Sequence, residues 1–120
     1  MREIKFRAWV SKAKLMLHVT DIDFEDKSIG CQDNSSQWSD HECLIMQYTG
    51  LKDKNGVEVY EGDVVSIQGV YQMNFAIEWG TFGWELFDGK RGILYDAHDE
   101  YIAGAKVIGN IHENPELMKE

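Results

Sequence analysis

Apolar and polar residues alternate at short intervals along most of the chain, and the runs are cut by turn residues before any helical period develops. Ile4, Phe6, Ala8 and Val10 fall on one face of an extended segment, with Glu3, Lys5, Arg7 and Trp9 on the other. Ser11-Lys12-Ala13-Lys14 has hairpin length, and Leu15 to Thr20 resumes the extended pattern, so the spacing predicts an N-terminal antiparallel hairpin. Asp21 to Gly30 reads as a turn around Glu25-Asp26-Lys27 between strand fragments at Ile22-Phe24 and Ile29. Gln32 to Glu42, polar apart from Trp38, is expected to be a mobile loop. The run Cys43–Tyr48 is stopped by Thr49-Gly50, which favours a strand.

The punctuation then becomes explicit. Asn55-Gly56 tolerates positive φ and suits a tight turn between Leu51 and Val57–Tyr60. Glu61-Gly62-Asp63 is a second turn, from which Val64-Val65-Ser66-Ile67 leaves as a β-branched strand. After Gly69, Met73, Phe75, Ile77 and Trp79 share one face of the next strand; Gly80 and Gly83 bracket a reversal into Trp84-Glu85-Leu86-Phe87 and the turn Asp88-Gly89. Residues 93 to 101 are ambiguous and are assigned a turn or one helical loop. Lys106 to Ile111 is a final strand, and Asn114-Pro115-Glu116 places a capping residue, a first-turn proline and an acid in order, which predicts one closing helical turn. The class is all-β or β-rich α+β, and the length of 120 residues suits a single domain over 1–120.

Composition narrows function mainly by exclusion. With 12 basic and 21 acidic residues the net charge is -9, which disfavours a general nucleic-acid binder. No apolar run is long enough for a membrane-spanning helix and no export signal is visible, so a cytoplasmic chain without a membrane partner is expected. Two cysteines, Cys31 and Cys43, are too few for a disulfide scaffold; in a reducing compartment both are expected as thiols, while spacing alone leaves a single loop-closing disulfide open. Charge is unevenly placed. Arg2, Lys5, Arg7, Lys12 and Lys14 stand against Glu3 alone in the first 14 residues, a balance of +4 that leaves -13 for the remainder. These cations either guard an edge strand or meet an acidic face of a neighbouring copy.

Candidate chemistry is sparse. Cys31, His41 and Cys43 with His18, His98 or His112 lack the close pairs of a zinc site, and Asp21–Asp26 lacks the glycine and the closing glutamate of a calcium loop. Asp96, His98, Asp99 and Glu100 form the only dense proton-transfer cluster, with no nucleophile assignable to it. No catalytic residue, metal site or cofactor is therefore expected. Trp79, Phe82 and Trp84 around the Gly80–Gly83 reversal are either core or an exposed platform for a protein partner or for single-stranded bases. Lys5, Arg7 and Arg2 of the basic hairpin complete the candidate interaction surface.

Met1–Trp9, Met46–Gly56, Tyr60–Val65 and Val107–Leu117 together resemble the YopX-like family of small bacteriophage and prophage proteins, a likeness running from end to end. Val10 stands where relatives often carry Asp. The resemblance brings no catalytic residue or cofactor. It implies a phage-encoded accessory protein in the host bacterial cytoplasm. The Gly62-Asp63-Val64-Val65 opening is also similar to the entry of small SH3-like barrels, so a small antiparallel barrel with an N-terminal hairpin and a short C-terminal helical turn is expected. The expected function is a non-catalytic, self-associating interaction module with a host or phage protein as further partner; the alternative is a single-stranded nucleic-acid-binding small barrel.

Overall fold

The computed structural model describes residues 3–31, 34–39, 41–68, 72–80, 83–89, 93–96 and 99–118. The fold is strand-rich, with two antiparallel sheets and little helix. The chain divides into two compact units, residues 1–48 and 49–120.

In unit 1, β1 (Phe6–Val10) turns through residues 11–14 into β2 (Leu15–Asp23), with Ala8 opposite Leu17 and Val10 opposite Leu15. Lys14 takes the left-handed conformation that closes this turn (φ 54°). β2 pairs with β3 (Ser28–Cys31), β3 with β4 (Asn34–Ser39), and β1 also with the first residues of β5 (Leu44–Lys52). The hairpin is as the alternation predicts. The mobile loop expected after Gln32 is not: most of its described residues form β4. Trp38 stands opposite the buried Ile29 and packs against the core of Ala8, Val10, Leu17, Ile29, Cys31 and Cys43. Burying part of an indole offsets the ordering of a polar strand that has little else to recommend it.

In unit 2, β6 (Glu58–Tyr60) lies beside the end of β5, and Thr49 Oγ1 donates to the Val59 carbonyl at 2.7 Å. The second sheet has the order β10-β9-β8-β7-β11, comprising β7 (Asp63–Gln68), β8 (Gln72–Gly80), β9 (Gly83–Asp88), β10 (Ile93–Asp96) and β11 (Lys106–Asn110). Its core gathers Val59, Val65, Phe75, Ile77, Leu86, Ile102 and Ala105. Residues 93–96 are a strand rather than part of a loop: Ile93, Leu94 and Tyr95 extend along β9, with Leu94 opposite Phe87 and Tyr95 opposite Leu86. Helix α1 (Asp99–Ala103) follows and turns Ile102 into the core. The expected barrel does not close. Among the described residues β10 pairs only with β9 and β11 only with β7, the latter with a register shift between Val107 and Gly109. A barrel would need those two edges joined.

The glycine turns are as the sequence assigns them, whereas the Asn114 side chain accepts from the Asn110 N–H at 3.3 Å and the closing turn is joined through the Asn114 carbonyl, which accepts from Leu117 N–H at 3.1 Å. Gly56 and Gly62 sit at φ 78° and 87°. The Pro115–Met118 segment is a single 3₁₀ turn, opened by Asn114 and held to β8 by Asn74 Nδ2, which donates to the Leu117 carbonyl at 3.2 Å. Asn110 ties the approach to that turn, its Oδ1 accepting from the backbone N–H groups of His112 and Glu113 at 3.0 and 2.8 Å.

Candidate functional site

The end of the β8–β9 hairpin is where large apolar surface leaves the core of unit 2. Cross-strand pairs run Ile77 with Leu86, Glu78 with Glu85, Trp79 with Trp84 and Gly80 with Gly83. Alternation puts the tryptophans on the same face as the buried Ile77 and Leu86, so the pair prolongs the core face past the point where the core ends. Trp84 packs partly against the core, whereas Trp79 is 59% exposed. Their rings meet edge-on at 4.8 Å with a 71° interplanar angle, a favourable arrangement that holds Trp79 in place. Gly83 reverses the chain with φ 125°, a backbone open to glycine alone in practice.

The opposite face of this hairpin end is acidic. Glu78 and Glu85 stand directly across from each other, an arrangement that costs stability unless a cation approaches. Glu85 lies over Gly80, where any side chain would collide with its carboxylate. Phe82, the third aromatic expected here, lies outside the described residues, as do Lys90 and Arg91.

The basic half of the expected surface belongs to unit 1. Arg2 lies outside the described residues. Lys5 pairs with Glu3 at 3.0 Å and sits over the Tyr48 ring at 5.5 Å. Arg7 is half-buried, with Nη2 3.9 Å from Met46 Sδ. Among the described cations of this hairpin, Lys12 and Lys14 at the β1–β2 turn are exposed.

Other candidates are dispersed. His98 lies outside the described residues, and Glu100 is exposed on α1. Cys31 and Cys43 are buried thiols in the unit 1 core, while His18 and His41 are exposed. Among the described residues no three His, Cys, Asp or Glu side chains gather as a metal-binding group. The alternating acids at Asp21–Asp26 end β2 and begin the turn that follows it, where Asp23 Oδ1 accepts from the N–H groups of Glu25 and Asp26, each at 3.0 Å. No described helix is long and apolar enough to cross a membrane.

Two features escaped the sequence reading. Asp53 is buried and gathers three backbone donors: Oδ1 accepts from Asn55 at 2.8 Å and Val57 at 2.9 Å, and Oδ2 from Val107 at 2.9 Å. Burial pushes its carboxyl upward, but the three N–H groups together outweigh that and hold it below the usual aspartate range. An Asp two residues before Asn-Gly was the available signal. The other is Phe24, an aromatic residue set among acids in a turn and left almost wholly exposed.

These observations define a class: a strand-rich chain of two antiparallel sheets whose distinctive surface is an aromatic and acidic hairpin end. The YopX protein family model matches residues 5–119, and the chain belongs to that family. It is similar to the crystal structure of protein EF1440 from Enterococcus faecalis, at 30% identity and TM-score 0.74 over 99% of this chain and 100% of that one. It also shares its fold with YopX from Bacillus subtilis, at 14% identity and TM-score 0.67 over 100% of this chain and 98% of that one. No curated protein matches it.

Proposed function

We propose that this is a phage-encoded accessory protein of the host cytoplasm that works by binding protein chains, its own copies included, and performs no reaction itself. The observation that carries this reading is Trp79, exposed yet fixed edge-on against Trp84 with Glu78 and Glu85 on the reverse of the same two strands. A rigid exposed aromatic anchor is the usual core of a binding hot spot, since little side-chain entropy is lost when a partner covers it. The acids on the reverse face favour a basic partner segment that wraps around the hairpin end. The exposed Lys12–Lys14 turn is such a segment supplied by the chain itself. Joining one copy's hairpin end to another's basic turn is a heterologous contact, which builds larger assemblies and weakens as salt screens the charges.

Single-stranded bases could also stack on Trp79, but a base-stacking groove ordinarily follows a basic track, and Glu78 and Glu85 repel phosphate. Tryptophan fluorescence is therefore expected to stay flat when oligonucleotides are added at low salt. Light scattering at low salt is expected to give a mass above that of one chain, falling when salt is added and in Trp79→Ala. A mass indifferent to both changes, or strong quenching by oligonucleotide, would contradict the reading.

A further inference from the structure

The turn between β5 and β6 carries a reactive dipeptide that its own geometry keeps from reacting. Asparagine followed by glycine is the pair most prone to lose its side-chain amide. The glycine backbone nitrogen, unhindered by a Cβ, gives up its proton and attacks the asparagine Cγ; ammonia leaves, and water opens the resulting five-membered imide to aspartate or isoaspartate. Asn55 and Gly56 are exposed, and nothing lies within 4 Å of where a Cβ on Gly56 would stand, so water reaches the pair freely. Asn34, Asn74, Asn110 and Asn114 are followed by Ser, Phe, Ile and Pro, which leaves Asn55 as the reactive asparagine of the chain.

Three features of the turn oppose the attack. The Gly56 N–H, whose proton must leave, donates to the Asp53 carbonyl at 3.0 Å. Asp53 Oδ1 accepts from the N–H groups of Asn55 and Val57 at 2.8 and 2.9 Å, so a carboxylate stands beside the nitrogen that would have to become an anion. Those bonds, with the Asp53 N–H donating to the Val57 carbonyl at 2.9 Å, also fix the backbone of Asn55 and hold Gly56 at φ 78°. Closing the imide requires rotation about the Asn55 Cα–C bond, which would break them.

We propose that Asn55 is a modification site guarded by Asp53: it stays an amide while the turn is closed, and is hydrolysed with loss of ammonia when the turn opens. Water is the sole co-reactant. Of the two products, isoaspartate routes the main chain through the side-chain carbon and so lengthens it between positions 55 and 56. Val57 N–H then no longer meets Asp53 Oδ1 in the same register, and the turn that positions Asp53 Oδ2 on Val107 loses its frame. Aspartate instead adds a negative charge close to the Asp53 carboxylate. Either product marks a copy whose turn has opened, and the marking accumulates because the released ammonia does not return.

Peptide mapping by mass spectrometry tests this on the full-length chain kept in warm, mildly alkaline buffer, both folded and in urea. Folded wild type is expected to convert at Asn55 at least about tenfold more slowly than the same chain in urea, since reaction waits on local opening. Asp53→Ala is expected to raise the folded-state rate about tenfold or more, because the turn loses its charge-assisted hydrogen bonds. Should that variant not fold, Asp53→Asn, which lacks the charge but keeps one acceptor oxygen, is expected to accelerate conversion in the same direction. Ile102→Ala weakens unit 2 from its core and leaves the bonds of the turn in place, so its folded-state rate is expected to stay close to that of wild type. Equal rates in folded and unfolded wild type would overturn the proposal, as would an amide at Asn55 that survives urea unchanged. An equal acceleration in the Asp53 and Ile102 variants would overturn it too, by assigning the protection to the fold as a whole and not to Asp53.

Discussion

Asp53→Ala is expected to destabilise the protein by about 3–5 kcal/mol, the largest effect of any polar substitution described, because one carboxylate serves three backbone donors and each buried donor left unpaired costs about 1–3 kcal/mol. Its two oxygens divide the work. Oδ1 shapes the Asn55-Gly56 turn through Asn55 and Val57, and Oδ2 reaches the start of β11 through Val107. The neighbouring backbone repeats the link, with Lys54 N–H donating to the Ala105 carbonyl at 2.9 Å. Asp53→Asn retains one acceptor oxygen but turns an amide group toward Val107, and is expected to cost roughly half as much. The sign of the pH effect follows from a folded-state carboxyl held below its usual range. Its contribution is complete above the unfolded value of about 3.9 and is lost as pH falls through the lower folded value. Urea unfolding of wild type and Asp53→Asn should therefore differ most near neutrality and converge in acid. A difference under about 1 kcal/mol for Asp53→Ala at neutral pH would remove Asp53 from its place in unit 2.

Ile102→Ala is expected to cost about 2–5 kcal/mol, as for other large aliphatic groups removed from a close-packed core. Ile102 is 1% exposed and is the residue of α1 that joins Val59, Phe75, Ile77 and Leu86. A helix of five residues is far too short to persist by its own hydrogen bonds, so α1 exists because Ile102 is buried. Two readouts should move together: a lower urea midpoint and loss of amide-exchange protection over residues 99–103 ahead of the β7–β8–β9 ladder. Protection lost uniformly instead would show that α1 is no separate unit of stability.

What could be read from sequence was what is determined locally. The turns at Ser11–Lys14, Asn55-Gly56 and Gly62 and the Asn114-Pro115 start of the 3₁₀ turn depend on residues within the turn itself, and all four are present. What depended on a distant partner was not legible. β4 is a strand because Trp38 finds Ile29 and the core beside it, and nothing in its own polar sequence says so. The barrel failed for a related reason: whether the outermost strands meet is settled by register and twist across the whole sheet. At the hairpin end, periodicity placed Trp79 on the face of Phe75 and Ile77 but could not say where the core would stop, and it stops between Trp84 and Trp79. Lys5 and Arg7 were legible as cations; their engagement with Glu3, Tyr48 and Met46 was not.

The claim on which the functional account turns is that copies of this chain bind one another. Sedimentation equilibrium of the purified wild-type chain at low salt, from micromolar concentrations upward, measures it directly. The account predicts a mass rising with concentration from the 13.8 kDa of one chain to the dimer and beyond. A constant single-chain mass throughout that range would contradict it.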